Sequence, residues 1–276
     1  GTAQFVPLDV AGGAEAWTAT IQLSKPDTIV HLAAETGTGQ SLDEPVRHAT
    51  VNVVGTAAMM EAIDSAGFHP KRIVLASSRA VYGEGQWHSA DYGPFYPAGR
   101  TPEDFRNGSW DCRAPDGSQA RPLPSSAAET RPNPTSVYAA TKLSQEQILS
   151  VWCQAREIDL SILRLQNVYG PGQSIKNAYT GVLTTFARIA SGGGEIDVFE
   201  DGEITRDFVH IDDVVSAVVA ATEQAGTRIV DVGSGEASTI LEAATTIAEF
   251  AGAPPPKVYG RYRLGDVRAS FCAVEN

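Results

Sequence analysis

Cysteine is scarce in this chain, basic residues are outnumbered, and long apolar runs are missing. The three cysteines, Cys112, Cys153 and Cys272, show no C-x-x-C spacing. That argues against a zinc site or a disulfide framework and for reduced thiols, so a cytoplasmic protein is expected. The 21 lysines and arginines stand against 33 acidic residues, for a net charge of −12. This argues against nucleic acid and against an anionic membrane surface as partners. It leaves open a phosphate-bearing small molecule, which a few placed arginines and helix ends can hold. No run of about 18 apolar residues occurs and no signal peptide is visible, so a membrane-spanning helix is not expected.

What is present is the alternation of a parallel sheet. The 276 residues, 42% of them hydrophobic, suffice for one large or two modest domains. Short aliphatic runs at 28–32, 72–76 and 160–164 read as buried parallel strands. Helical spacing fills 43–66 and 137–157 between them. Strand–helix–strand alternation implies an α/β, doubly wound sheet with ligands at the strands' carboxyl ends. Ser78 and Asn167 both follow such ends. The stretch 84–134 is long, rich in Pro, Gly and Ser, and poor in strand signals. It is expected to be either a solvated insertion or an element at a substrate site or subunit contact, anchored by Trp87, Phe95, Tyr96 and Trp110.

Tyr138 and Lys142, four apart in Ser136-Val-Tyr-Ala-Ala-Thr-Lys142, carry the chemistry. At that spacing a phenol and an ammonium share one helix face. A nearby cation favours phenolate, so the tyrosine is expected to have a lowered pKa and to exchange a proton with a sugar hydroxyl. The motif alone is equally compatible with a surface Tyr–Lys pair. Ser78, at the end of an apolar run, supplies a further hydroxyl.

These residues sit among others in a recognisable order: His31-Leu-Ala-Ala34, Asn52-Val-Val-Gly-Thr56, Ser77-Ser78 to Val81-Tyr82-Gly83, Arg164 to Asn167-Val-Tyr-Gly-Pro-Gly172, Arg206-Asp-Phe-Val-His210-Ile-Asp-Asp213 and Arg263-Leu-Gly-Asp266-Val-Arg268. The chain resembles the extended short-chain dehydrogenase/reductases, in the NAD-dependent nucleotide-sugar epimerase and dehydratase branch, over nearly its whole length. The run from Ser77 to Gly85 followed by a long insertion most resembles bacterial dTDP-sugar epimerases, dTDP-L-rhamnose 4-epimerases among them. The resemblance implies a Rossmann-type NAD-binding domain over 1–173, with the insertion at about 84–134. It further implies a substrate lobe over 174–276, from which some strands and helices return to the first domain. One landmark is absent, the strand followed by G-x-x-G-x-x-G that holds the cofactor pyrophosphate. Gly12-Gly13 has no strand before it and Gly192-Gly-Gly194 lies far downstream. The segment 4–10 resembles the family's third strand, so the sequence reads as one lacking two N-terminal strands and a C-terminal tail.

By the same resemblance, Ser78, Tyr138 and Lys142 are catalytic. Asp9, Val10, Leu32, Ala33, Ala34 and Asn52, with Tyr138 and Lys142, line the cofactor, and Asp9 contacts its adenine. Ser78, Asn167, Asn177, Arg206, Arg263 and Asp266 bind substrate, the two arginines meeting the diphosphate with their forked donors. Salt bridges from these arginines to Asp207 or Asp266 are the alternative. His31 is expected to be structural, Glu35 to line the sugar pocket or cap a helix, and His210, Asp212 and Asp213 to be structural, with no metal site. Sugar 4,6-dehydratases carry Asp-Glu after the serine, whereas this chain has Arg79-Ala80, which argues against dehydration.

The expected function is therefore 4-epimerisation of a dTDP- or UDP-hexose by transient oxidation at C4. A nucleotide-sugar 4-ketoreductase and a non-catalytic binding member of the fold are the alternatives. A homodimer is expected through the helices carrying Asn52 and Tyr138, with Met59, Met60, Ile63, Leu149, Trp152 and Cys153 supplying apolar surface.

Overall fold

The structure, a computed structural model, describes residues 3–174 and 181–274. In chain order its elements begin with α1 (Ala14–Ser24), β1 (Thr28–His31), α2 (Gln40–Asp43), α3 (Pro45–His48), α4 (Gly55–Ser65) and β2 (Arg72–Ser78). The insertion contributes β3 (Trp87–Ser89), β4 (Gly93–Phe95), α5 (Pro102–Arg106) and β5 (Ala120–Pro122). There follow α6 (Val137–Ala155), β6 (Asp159–Leu165), β7 (Asn167–Tyr169), α7 (Val182–Ser191), β8 (Asp197–Val198), β9 (Thr205–Arg206) and β10 (Phe208–His210). The last are α8 (Ile211–Glu223), β11 (Arg228–Val232), β12 (Ser238–Thr239), α9 (Ile240–Ala251), β13 (Lys257–Val258) and β14 (Ala269–Ser270).

The central sheet runs β1-β2-β6-β11, with every pairing parallel. Alternating side chains of β2 explain why the strand is apolar throughout. Ile73 and Leu75 join Met59, Ile63, Leu149 and Trp152 on the face covered by α1, α4 and α6. Val74 points the other way, into a cluster with Leu163, Val214 and Val232 beneath α8. A strand buried on both faces has no polar side to show. A smaller lobe is cored by Phe186, Ile196, Val198, Ile204, Ile240 and Ala244 around α7 and α9.

The segment 4–10 is not a strand. Its apolar–polar pattern suits one, but a strand exists only as part of a ladder, and no described segment pairs with it. The stretch 84–134 carries three short strands. β4, β3 and β5 form an antiparallel sheet whose Trp87 and Phe95 are buried with Cys112, Ala114 and Ala269. Ion pairs then clamp it to the smaller lobe: Arg100 to Glu200 at 2.7 Å, and Arg268 to Asp111 at 2.7 Å. The backbone joins in, with Ser125 N donating to Phe271 O at 2.9 Å and Ala273 N to Ser125 O at 2.8 Å.

Met59, Ile63, Leu149, Trp152 and Cys153 are core residues, not subunit surface. An apolar helix stripe can serve either purpose, and here α4 and α6 turn theirs onto the sheet. Exposed on the outer side are Val54, at the end of the π-helical turn that leads into α4, and Val151 on α6, 55% and 71% exposed.

Candidate active site

β2 delivers Ser78 to the carboxyl edge of the sheet, and its hydroxyl accepts a hydrogen bond from Ala80 N at 3.2 Å. This opens a 3₁₀ turn over Arg79–Tyr82. Gly83 follows at φ 60°, where a Cβ would stand 2.1 Å from the Asn133 carbonyl oxygen. Only glycine permits the turn to lie against the strand of chain that leads into α6. Ser136 caps α6 by accepting from Ala139 N at 3.1 Å. Tyr138 thus emerges in the first turn of α6, beside Ser78.

Over its first half, from Thr141 to Glu146, the inner face of α6 is polar and buried. Lys142 donates to Gln145 Oε1 at 2.5 Å, and Gln145 Nε2 donates to Thr56 Oγ1 at 2.8 Å. His31 Nε2 lies 2.9 Å from the same hydroxyl. Asn52, in a π-helical turn between α3 and α4, donates to Thr141 Oγ1 at 2.9 Å and to Glu35 O at 3.0 Å, and accepts from Glu35 N at 2.8 Å. It therefore pins the loop after β1 to α6. Behind this layer Glu146 receives both Arg164 (3.1 and 2.7 Å) and Ser77 (2.5 Å).

Burial governs the titration of these groups. It lowers His31 to about 4, with Lys142 adding to the effect. It lowers Lys142 to about 8, against the opposing pull of Glu146. It raises Tyr138 above its ordinary value, while a hydrogen bond from Ser78 and the charge of Arg79 act the other way. The expectation that Lys142 depresses the Tyr138 phenol is thus not met: the phenol is raised, and the cation acting on it is Arg79. Helical spacing put Lys142 on the face of Tyr138, but Gln145, three residues further, shares that face and takes the ammonium.

Among the residues expected to meet substrate, Asn167 Oδ1 accepts from Arg79 Nε at 3.0 Å. Arg206 is buried and donates to Asp266 Oδ1 at 2.8 Å, to Val267 O at 2.9 Å and to Thr205 O at 2.8 Å. The Asp266 salt bridge is therefore formed. Arg263 is exposed and lies over the Phe199 ring at 5.0 Å. Asn177 lies outside the described residues. His210 caps α8, accepting from Asp212 N at 3.3 Å, and among the described residues no acidic, histidine or cysteine cluster could hold a metal.

Of the residues expected at a cofactor, Leu32 is exposed at the end of β1, with Ala33 and Ala34 behind it, and Asp9 is exposed with its carboxylate on Ala11 N at 2.9 Å. Val10 is partly buried against Gly55. Lys142 fits a dinucleotide: it is a buried ammonium with three donors, and Gln145 takes one. Ribose hydroxyls would occupy the others. Sequence reasoning missed Gln145, Glu146, Thr56 and Thr141. The signal was there for Gln145 and Glu146, polar residues three and four beyond Lys142 and hence on its buried face.

Residues 2–233 match the NAD dependent epimerase/dehydratase family. A dTDP-L-rhamnose 4-epimerase of Burkholderia thailandensis is 50% identical over 98% of this chain and 73% of its own length. A UDP-glucose 4-epimerase of Mycolicibacterium smegmatis is 35% identical over 89% of this chain and 67% of its own. Among solved structures, UDP-glucose 4-epimerase of Thermus thermophilus in complex with NAD superposes with a TM-score of 0.73 at 28% identity, covering 99% of this chain and 78% of that one. The Thermotoga maritima enzyme with UDP-glucose gives 0.75 at 26%, covering 98% and 75%. With Ser78, Tyr138 and Lys142 standing where the sheet opens, and with these relatives matched along nearly its whole length, the chain belongs to the NAD dependent epimerase/dehydratase family.

Proposed function

We propose that this chain interconverts the C4 epimers of a dTDP- or UDP-hexose. The observation that carries the reading is the pairing of Ser78 with Tyr138 in a site where positions 79 and 80 offer no carboxylate. NAD, when bound, supplies reversible hydride exchange with C4. Tyr138 removes the C4 hydroxyl proton as base, and Ser78 holds the same oxygen by a hydrogen bond. Lys142 orients the ribose with its spare donors. After the 4-keto sugar turns over in the pocket, Tyr138 returns the proton to the oxygen on the other face. Asn167, Arg206, Arg263 and Asp266 form the substrate side, Asp266 releasing Arg206 to the diphosphate. In this reading 1–173 bind the cofactor and 174–276 the substrate, with β11 returning to the main sheet. The three buried free thiols suit a cytoplasmic enzyme.

The reading is tested with a hexose deuterated at C4. The label is expected to stay at C4 in both epimers, without added reduced cofactor. Deuterium lost to solvent, or a stoichiometric demand for NADH, would replace the epimerase with a ketoreductase.

We also propose a homodimer, through the outer rather than the inner stripe of α4 and α6. Val54→Asp with Val151→Asp is expected to give a monomer by light scattering at micromolar concentration, with the fold intact by circular dichroism. Trp152→Asp, by contrast, is expected to destabilise the subunit itself. A dimer that survives both exposed substitutions sinks this placement.

A further inference from the structure

Gln145 is buried on α6, between the ammonium of Lys142 and the start of α4, and the proposed reaction gives it no task. Its amide can be oriented only one way. Thr56 spends its single proton on Asn52 O, at 2.6 Å, so the hydroxyl oxygen can only accept. The amide must therefore turn its nitrogen to Thr56, at 2.8 Å, and its oxygen to Lys142, at 2.5 Å. An ammonium only donates, so Lys142 demands the same orientation. His31 Nε2 lies 2.9 Å from the same Thr56 oxygen and closes the network from β1. Burial brings that imidazole to about 4, so it is neutral and donates to Thr56 through Nε2–H.

We propose that Gln145 is the positioning residue of Lys142: its oxygen, held in place by Thr56, fixes the ammonium at one N–H and leaves two for the cofactor ribose. This rests on the reading of Lys142 given above. A lysine side chain has many rotamers to lose. A buried acceptor that is itself tied to two other elements removes most of them before any ligand arrives, which is preorganisation. Lys142 is faced on α6 by Tyr138 one turn earlier and by Glu146 one turn later. Glu146 is paired with Arg164 of β6, and β1 supplies the neutral His31. α4 reaches Lys142 only through the uncharged Thr56 and Gln145. Burial brings the ammonium to about 8, so a change of acceptor changes its charge in the working range of pH.

The full chain is titrated by carbon-13 NMR of labelled lysine side chains, with the Lys142 resonance identified by its loss in Lys142→Met. A hydrogen bond to the charged form favours that form. Gln145→Met keeps the volume and removes the acceptor, so the Lys142 midpoint should fall by about one unit. Gln145→Glu keeps the acceptor and adds a charge, so the midpoint should rise by about one unit or more. Opposite signs mark contact with the ammonium, whereas a packing role moves both variants the same way or neither. In the active enzyme the falling limb of the pH–rate profile should follow the midpoint. At pH 8 the charged fraction in Gln145→Met drops from about a half to about a tenth, and kcat/KM should fall about fivefold with it. An unmoved midpoint in Gln145→Met overturns the proposal, and so do shifts of the same sign in the two variants. A limb that stays in place while the midpoint moves overturns it too. If either variant does not fold, Thr56→Val, which releases the amide, must lower the midpoint, and an unmoved one overturns the proposal. The titration needs neither turnover nor cofactor. A chain that fails to epimerise yet shows these shifts loses the function and keeps the positioning residue.

Discussion

Tyr138→Phe should cost this protein between about a hundredfold and ten-thousandfold in turnover, the range for removing a general acid–base group. The ring stays and the volume is nearly unchanged, so the helix packs as before. The lost hydroxyl bonds Ser78, and one such bond contributes about 1 kcal/mol of stability. The KM for the sugar nucleotide should barely move, because the phenol acts on the reacting oxygen and the diphosphate is held elsewhere. Steady-state kinetics on the purified variant checks both parts. Turnover near the parent value would take Tyr138 out of the chemistry. A raised KM at constant kcat would make it a binding group.

Gly83→Ala should be the most damaging single methyl that can be added near the site. At φ 60° the added Cβ would sit 2.1 Å from the Asn133 carbonyl oxygen and 3.0 Å from Thr135 Cγ2. The obstacle is backbone, which cannot swing aside as a side chain can. Asn133 is tied through its N–H to Val81 O at 2.9 Å, and it leads directly into the Ser136 cap. Relief therefore displaces the start of α6 and Tyr138 with it. We expect a loss of about 3 kcal/mol and a fall in Tm of roughly 10 °C, with activity reduced in the surviving fold. Gly67→Ala is the control. Its φ of 65° is equally unfavourable, but nothing stands within 4 Å of the new methyl. It should cost only about 1 kcal/mol. Equal melting temperatures for the two variants would show that backbone conformation, and not the Asn133 contact, limits this position.

The main sheet could be read from the chain because its strands are buried on both faces. Aliphatic runs at 72–76 and 160–164 became β2 and β6. The antiparallel sheet of the insertion could not. Its strands are three residues long, too short for an alternating pattern to register, and two of them contain proline. Its aromatic anchors could, since Trp87 and Phe95 had to be buried somewhere. Periodicity finds the apolar stripe of a helix without saying what covers it, and so it suits Met59 and Leu149 to a subunit contact as well as to the sheet they face. The same limit applied in the site. Spacing placed Tyr138 and Lys142 on one face, but the partner of an ammonium is settled by tertiary neighbours. In the sequence Arg79 stands out only as the residue in place of a carboxylate. Its bond to Asn167 joins residues 88 apart in sequence.

The clamp between the insertion and the smaller lobe sets an order in time. Glu84 is buried, and its carboxylate accepts from the backbone N–H of a residue 184 positions later, Arg268, at 2.9 Å. Arg100 waits 100 positions for Glu200. On a ribosome adding about 5–20 residues per second, the first of these gaps lasts roughly ten to forty seconds. During that interval β1, β2 and β6 can already pair, and α4 and α6 can cover them. The 84–122 segment meanwhile has charges that cannot be buried without their partners. It must remain solvated, and its small sheet is among the last parts to close. A newly made chain can therefore pair β1, β2 and β6 before its 84–122 segment has partners, and the step that seats that segment is the arrival of residues 200–273.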